Sequence, residues 1–295
     1  MKTLAARARC FGLACVMAGA ACGAAAQAGS AAALRASHAA MGDQLQKNQF
    51  GRPLVLDSTE APDNLRGDIF AVVSHPFPTV SAALNDPAEW CDVLILHINT
   101  KYCRTSGTGA GTVVQVAVGK KFSQPLKDAH RVDFAWRPVV AAPDYLEIQL
   151  EAPTGPLGTS DYRIVLQAIP LDSGRSFIHL RYSYSYGFAG RMAMKAYLAT
   201  VGSDKVGFTP AGNGADGKPA FVGGVRGVVE RNTMRYYLAI DAYLSALAAP
   251  PESRLDRRLQ NWFTATERHA RQLHEMDRAE YIAMKQAEYR RQQLP

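Results

Sequence analysis

The chain has 295 residues and a formal charge of +7, from 33 Lys and Arg against 26 Asp and Glu. That length can bury one large hydrophobic core or two modest ones. The basic residues are interleaved with acids, above all after Arg254, so the charge reads as a solvated surface and nucleic-acid binding is set aside.

The first 28 residues stand apart. Lys2, Arg7 and Arg9 open a basic segment, residues 11–22 are apolar and small, and Ala24, Ala26 and Ala28 follow. This is the pattern of a cleaved secretory signal, and it predicts a periplasmic mature protein. The apolar run is too short to span a bilayer, so no transmembrane span is expected in the mature chain. Cys22 offers a lipoprotein alternative, but Gly19-Ala20-Ala21 lacks the leucine-like residue such a site carries. After cleavage two of the five cysteines remain, Cys91 and Cys103. An oxidising compartment favours a disulfide between them over two free thiols. The loop it closes is worth about 3 kcal/mol in the chain-entropy model. Two cysteines are too few for a zinc site, and nearby His97 is read as a strand residue.

In chain order, residues 29–67 read as an N-terminal segment, partly helical or mobile, with Leu34, Met41 and Leu45 loosely spaced. Residues 53–57 are a short extended piece and 58–67 a loop. Residues 68–75 read as a strand. Residues 78–84 form a short helix with proline in its first turn. Asn85-Asp86-Pro87 stops it, and Ala88-Glu89-Trp90 adds one more turn. Residues 91–105 have a strand-like mixture, a glycine turn follows, and 113–118 alternate as a strand. Residues 132–140 pair with 144–152. The clearest hairpin joins 162–169 to 176–186 through Leu171-Asp172-Ser173-Gly174. On its second strand Ile178, Leu180, Tyr182, Tyr184 and Tyr186 share one face, and His179, Arg181, Ser183 and Ser185 the other. Residues 192–198 look helical, and the glycine-rich 208–221 reads as a loop or small hairpin.

Residues 223–247 carry Val225, Val229, Tyr236, Ile240, Tyr243, Leu244 and Leu247 along one helical face, closed by Pro250 and Pro251. A long helix after a run of strands buries that face most economically on the sheet. Residues 250–295 form a charged helical extension with a partial apolar stripe, Leu255, Leu259, Trp262, Thr266, Leu273, Met276 and Met284. It either folds back on the domain or serves a partner.

The order of strand, short helix ending in Asp86-Pro87-x-x-Trp90, antiparallel strands and long helix resembles the START-like (SRPBCC, helix-grip) superfamily over about residues 68–247. The chain also looks like a group of exported proteobacterial proteins, through NTKYC, YRIVLQAIP and RGVVERNTMRYYLA; that likeness supplies no activity. The START-like resemblance implies an α+β fold, residues 68–249, in which an antiparallel sheet wraps around a long C-terminal helix. It also implies a cavity for hydrophobic or amphipathic ligands, although some members are cyclases or hydratases.

The residues offer two readings at each candidate site. Tyr182, Tyr184 and Tyr186, with Trp136, Tyr236 and Tyr243, either line a cavity or pack the sheet directly on the helix. Arg231 and Arg235, close to Glu230, either hold an anionic head group or form ordinary ion pairs. Asp128, His130 and Asp133 form a compact cluster whose alternation splits it across two faces, and Asp241 with His179 could meet between helix and sheet. No phosphate loop, serine elbow or metal pair stands in suitable context, so no catalytic residue, cofactor or metal is assigned. The function expected is binding of a lipid-like or other hydrophobic small molecule, as in a periplasmic carrier. The alternatives are a cyclase- or hydratase-type enzyme using the same cavity, and a scaffold that docks an envelope protein through the C-terminal helix.

Overall fold

The structure, a computed structural model, describes residues 30–200, 202–214 and 217–294. The expected secretory signal and Cys22 lie outside the described residues. Helical residues 30–40 (α1) and Gly42–Gln46 (α2) precede β1 (Leu54–Glu60) and β2 (Asn64–Val73). Two short helices follow, α3 (Phe77–Leu84) and α4 (Pro87–Leu94). Then come β3 (Thr100–Ser106), β4 (Val113–Val118), β5 (His130–Ala142), β6 (Tyr145–Thr154), β7 (Thr159–Pro170) and β8 (Ser176–Tyr186). After α5 (Phe188–Ala199) and a small hairpin, β9 (Pro210–Asn213) and β10 (Pro219–Phe221), the long helix α6 runs over Gly224–Ala246. The chain ends in α7 (Pro251–Glu267), α8 (Ala270–Leu273) and α9 (Arg278–Gln292).

Among the described residues, eight strands form one antiparallel sheet in the order β1-β2-β8-β7-β6-β5-β4-β3. The helix α6 lies on β1, β2 and β8. This is the helix-grip, α+β arrangement expected. The junction between β2 and β3 follows from local chemistry. Asp86 caps α4 by accepting the Ala88 N–H at 2.8 Å, Pro87 takes the first helical position, and the Trp90 indole donates to the Leu84 carbonyl at 2.9 Å. The Asp-Pro-x-x-Trp sequence is therefore a cap, a start and a staple.

Gly67 on β2 sets how closely helix and sheet approach. A Cβ there would fall 2.2 Å from the Thr233 hydroxyl of α6. The helix is pressed onto the β1–β2–β8 side. Side chains from β5, β7 and β8, together with Tyr236 of α6, occupy the interior beyond it.

Several expectations change. Residues 58–67 are not a loop, since Ser58–Glu60 complete β1 and Asn64 to Gly67 begin β2 in register with β1 and β8. Residues 91–94 belong to α4 and 95–99 to turns, so His97 is a turn residue and not part of a strand. Cys91 and Cys103 are disulfide-bonded, which ties α4 to β3. The α6 surface is buried nearly all round, including Gly227, Met234, Tyr237, Leu238 and Ala239, and not along a single face. The tail explains this. Leu259, Trp262, Leu273, Met276 and Met284 enter the same core, so the apolar stripe faces the domain and not an outside partner. Trp262 stacks on Tyr281 at 4.8 Å, whose hydroxyl donates to the Leu96 carbonyl. The tail also meets the open edge β3, where the Cys103 N–H donates to Gln292 Oε1 at 3.1 Å. On the opposite sheet face Ala31, Leu34 and Leu45 of α1 and α2 join Tyr145, Ile169 and Phe177 in a second, smaller core.

Candidate ligand-binding site

The period-2 alternation of β8 carries the site. Ile178, Leu180, Tyr182, Tyr184 and Tyr186 face the main core, whereas Phe177 faces the second core. One sheet level reads Gly67, Tyr182, Ile164, Leu150 and Trp136 across β2, β8, β7, β6 and β5. At this level the helix is close at Gly67, and Trp136 stands on the far side of the interior.

Rings fill the space between. Tyr182 lies 5.1 Å from Tyr236 of α6 and 5.6 Å from Tyr184. Tyr162 stacks on Tyr184 at 5.2 Å and meets Phe134 edge-on at 6.4 Å. His97 stacks on Tyr236 at 4.6 Å. Tyr236 itself is half-buried.

The polar atoms of this cluster are unusually idle. The hydroxyls of Tyr182, Tyr184 and Tyr236 make no hydrogen bond with any described residue, whereas Tyr162 donates to Thr159 Oγ1 at 2.9 Å. The Trp136 indole N–H and His97 Nε2 are buried without a partner. His97 Nδ1 accepts the Asn99 N–H at 3.2 Å, which leaves the ring proton on Nε2. Burial first, then Arg235 and Lys285, push the imidazole well below its ordinary pKa and keep it neutral. Burial raises the phenols of Tyr182, Tyr184 and Tyr236, which keeps them protonated. The interior therefore presents unused donors: two ring N–H groups and three phenols.

Three neighbouring charges on α6 have different fates. Glu230 is fully buried and saturated: Ser58 Oγ, the Phe208 and Thr209 N–H groups and Thr209 Oγ1 all donate to it within 2.9 Å. It fastens the 206–209 segment and β1 to the helix. Arg235 reaches Glu275 at 2.6 Å, and Lys121 shares the same carboxylate oxygen at 2.6 Å. Arg231 is 1% exposed, donates only to the Val206 carbonyl at 3.1 Å, and has no carboxylate partner among the described residues. None of the three makes an ordinary surface pair.

Tyr186 stands at the outer end of the aromatic row. It lines an open cleft of about 810 Å³ with Ser58, Glu60, Met194 and Lys195 and Arg226 of the α6 start. Tyr243 does not join the row. Its hydroxyl donates to Glu89 and Arg258 lies 4.5 Å over its ring, so it is committed to α4 and α7. Asp241 pairs with Arg52 at 3.1 Å and His179 with Asp68 at 2.7 Å, so the two do not meet. Asp133 is taken by Arg131 and does not form a dyad with His130. No group of His, Cys, Asp and Glu among the described residues is arranged to hold a metal.

Sequence reasoning missed Tyr162, Phe134 and His97. The first two sit at core-facing positions of β7 and β5, in step with Tyr182 and Trp136, and the same alternation would have found them. His97 depends on a turn after a disulfide-bonded helix and has no local signal.

Fold and site together define a helix-grip protein with an aromatic interior rich in hydrogen-bond donors. No family model matches the chain, and no curated protein matches it either. Among solved structures it is similar to norcoclaurine synthase from Thalictrum flavum, at TM-score 0.33 and 13% identity over 48% of this chain and 77% of that one. It is similar to the Zhui aromatase/cyclase from Streptomyces sp. R1128, at 0.32 and 14% over 70% and 96%. A START superfamily protein from Mycobacterium smegmatis gives 0.31 and 11% over 50% and 88%. Likeness at this level concerns the order of strands and helices and carries nothing about ligand or reaction.

Proposed function

We propose that the protein binds a hydrophobic or amphipathic small molecule between sheet and helix. The observation that carries this reading is the set of unpartnered phenols of Tyr182, Tyr184 and Tyr236 inside an otherwise apolar cluster. Unlike the Trp136 indole nitrogen and His97 Nε2, these hydroxyl oxygens are not fully enclosed, so each has space before it in which a ligand's acceptor can stand. Here the rings supply apolar contact, and the hydroxyls, with Trp136 and His97, supply donors for a ligand bearing acceptor oxygens. Tyr186 and the cleft beside α5 give a route inward, and opening of the 187–224 region admits the ligand.

A carrier fits this inventory better than a cyclase or hydratase. General acid–base work needs a proton acceptor within reach. Among the described residues no carboxylate is hydrogen-bonded to the phenols of Tyr182, Tyr184 and Tyr236, and the free ring nitrogen of His97 carries its proton. The periplasm is the compartment proposed, on the basic-then-apolar start of the sequence and the Cys91–Cys103 disulfide. No helix among the described residues is long and apolar enough to cross a membrane.

The test is native mass spectrometry of the protein purified from the periplasm of an expressing cell, followed by solvent extraction. A stoichiometric hydrophobic adduct, displaced by a fluorescent apolar probe and weakened in Tyr184→Trp, is expected. A bare protein that takes up neither lipid nor probe would sink the reading.

A further inference from the structure

Arg231 is buried as deeply as any core leucine, and a guanidinium cannot shed its charge. Burial of a cation is ordinarily accompanied by an anion and a full set of acceptors. Of its five N–H donors only one has an acceptor, the Val206 carbonyl at 3.1 Å. The local backbone is shaped around this group. Gly227, one turn earlier, leaves room where a Cβ would sit 3.3 Å from Arg231 Nη1 and 3.1 Å from the Gly207 nitrogen, so a glycine lets the backbone close around the guanidinium.

The surroundings deepen the deficit. Arg235, Lys121 and Lys205 lie within 4 Å of one carboxylate, Glu275, at 2.6, 2.6 and 3.7 Å. Glu230, the adjacent acid, is fully engaged by Ser58, Phe208 and Thr209. The positive potential is visible on Tyr197: burial would raise its phenol, but Lys121 and Arg231 hold it below its ordinary value. Arg231 also bears on Tyr184, one of the unpartnered phenols. The Arg231 charge is thus felt both at the Glu275 cluster, through Tyr197, and at the aromatic row, through Tyr184.

We propose that the interior is built for an amphipathic anion, whose carboxylate or phosphate head group pairs with Arg231 while its apolar body lies among Tyr162, Tyr182, Tyr184 and Tyr236. This rests on the binding reading above and names the ligand class for that same site. Either head group offers two oxygens to the planar fork of an arginine, so both meet the same chemistry. Arg235 is a neighbour and not the receiver, because Glu275 already holds it.

Calorimetric titration with dodecanoate, dodecyl phosphate, dodecanol and inorganic phosphate alone decides the matter. Both anionic dodecyl compounds are expected to bind at least about tenfold more tightly than dodecanol at low salt. Arg231→Gln is expected to bring them down to the affinity of dodecanol, whose own binding stays within about twofold. Dodecanol binding as tightly as the anions, or an anion preference that survives Arg231→Gln, would overturn the inference and leave the hydrophobic site standing. Inorganic phosphate binding as well as dodecyl phosphate would overturn it too, in favour of a free-anion site. If no dodecyl compound binds, the site itself fails and the inference goes with it. Should Arg231→Gln not fold, Arg231→Met takes its place in the same comparison.

Discussion

Two pairs of buried cations, Lys101 with Lys285 and Arg231 with Arg235, are finished to different degrees. On one side Lys285 donates to the His97 and Thr100 carbonyls and to Glu288, each within 2.8 Å, so all three ammonium protons have acceptors. Lys101 beside it meets the Ile98 carbonyl, Met284 Sδ and the other oxygen of Glu288. On the other side Arg231 has one acceptor for five donors, and Arg235 Nε has none. Equal depth with unequal satisfaction separates a group that holds the fold from one held in readiness. The lysines clamp the tail helix to the turn that carries His97, and the arginine waits beside the aromatic interior.

Breaking the finished cluster gives the largest expected effect. Glu288→Ala strands two buried ammonium groups and is expected to cost about 3–5 kcal/mol in equilibrium urea unfolding. A loss under about 1 kcal/mol would mean that the clamp is not structural. The same cluster should respond to pH. Burial, opposed in part by Glu288, lowers Lys285 from its ordinary 10.5 to about 8. The unfolded chain then binds more protons than the folded one between those values, so stability rises with pH across that window. Wild type should gain on the order of 2–3 kcal/mol over Lys285→Met between pH 8 and 10, at about 1.4 kcal/mol per unit. A flat difference across that range would show the lysine titrating normally.

The contrast between these clusters was only half legible in the sequence. What depends on local order came through: the β7–β8 hairpin, the alternation that puts Tyr182, Tyr184 and Tyr186 on one face, the cap and staple at Asp86 and Trp90, and the single cysteine pair. What depends on distant chain closing over a helix did not. Arg231 reads locally as either the holder of an anionic head group or half of an ordinary ion pair, and its burial is not legible; that comes from the 206–209 segment, fastened across it through Glu230. Lys101 and Lys285 are 184 residues apart and meet only because the tail folds back onto β3. Residues 58–67 read as a loop because Ala61-Pro62-Asp63 punctuates them, and that punctuation is the tight turn of the β1–β2 hairpin. A short apolar run such as Trp90, Cys91, Val93 and Leu94 also fits helix and strand alike, which hid the turn at His97.

Removing the unfinished charge should have the opposite sign. Arg231→Met keeps the length of the side chain and takes away a buried cation without an anion. In ligand-free protein it is expected to leave stability unchanged or raise it by about 1–3 kcal/mol, the range seen when buried charges give way to apolar groups of similar volume. A loss above about 2 kcal/mol in urea unfolding would make Arg231 a structural group like Lys285, and the distinction would collapse.

The finest version of the comparison uses single hydroxyls. Tyr281 and Tyr184 are both buried tyrosines, and only Tyr281 has an acceptor, the Leu96 carbonyl at 2.8 Å. Tyr281→Phe removes a made hydrogen bond and leaves a buried carbonyl short of a partner, so a loss of about 0.5–1.5 kcal/mol is expected. Tyr184→Phe removes a donor that nothing in the protein uses, and its stability should stay within about 0.5 kcal/mol of wild type. The same substitution should loosen a bound amphipath by several-fold, because the phenol then donates to the ligand. A Tyr184→Phe protein as destabilised as Tyr281→Phe would mean that its hydroxyl serves the core, and the aromatic row would lose its reason to be called a site.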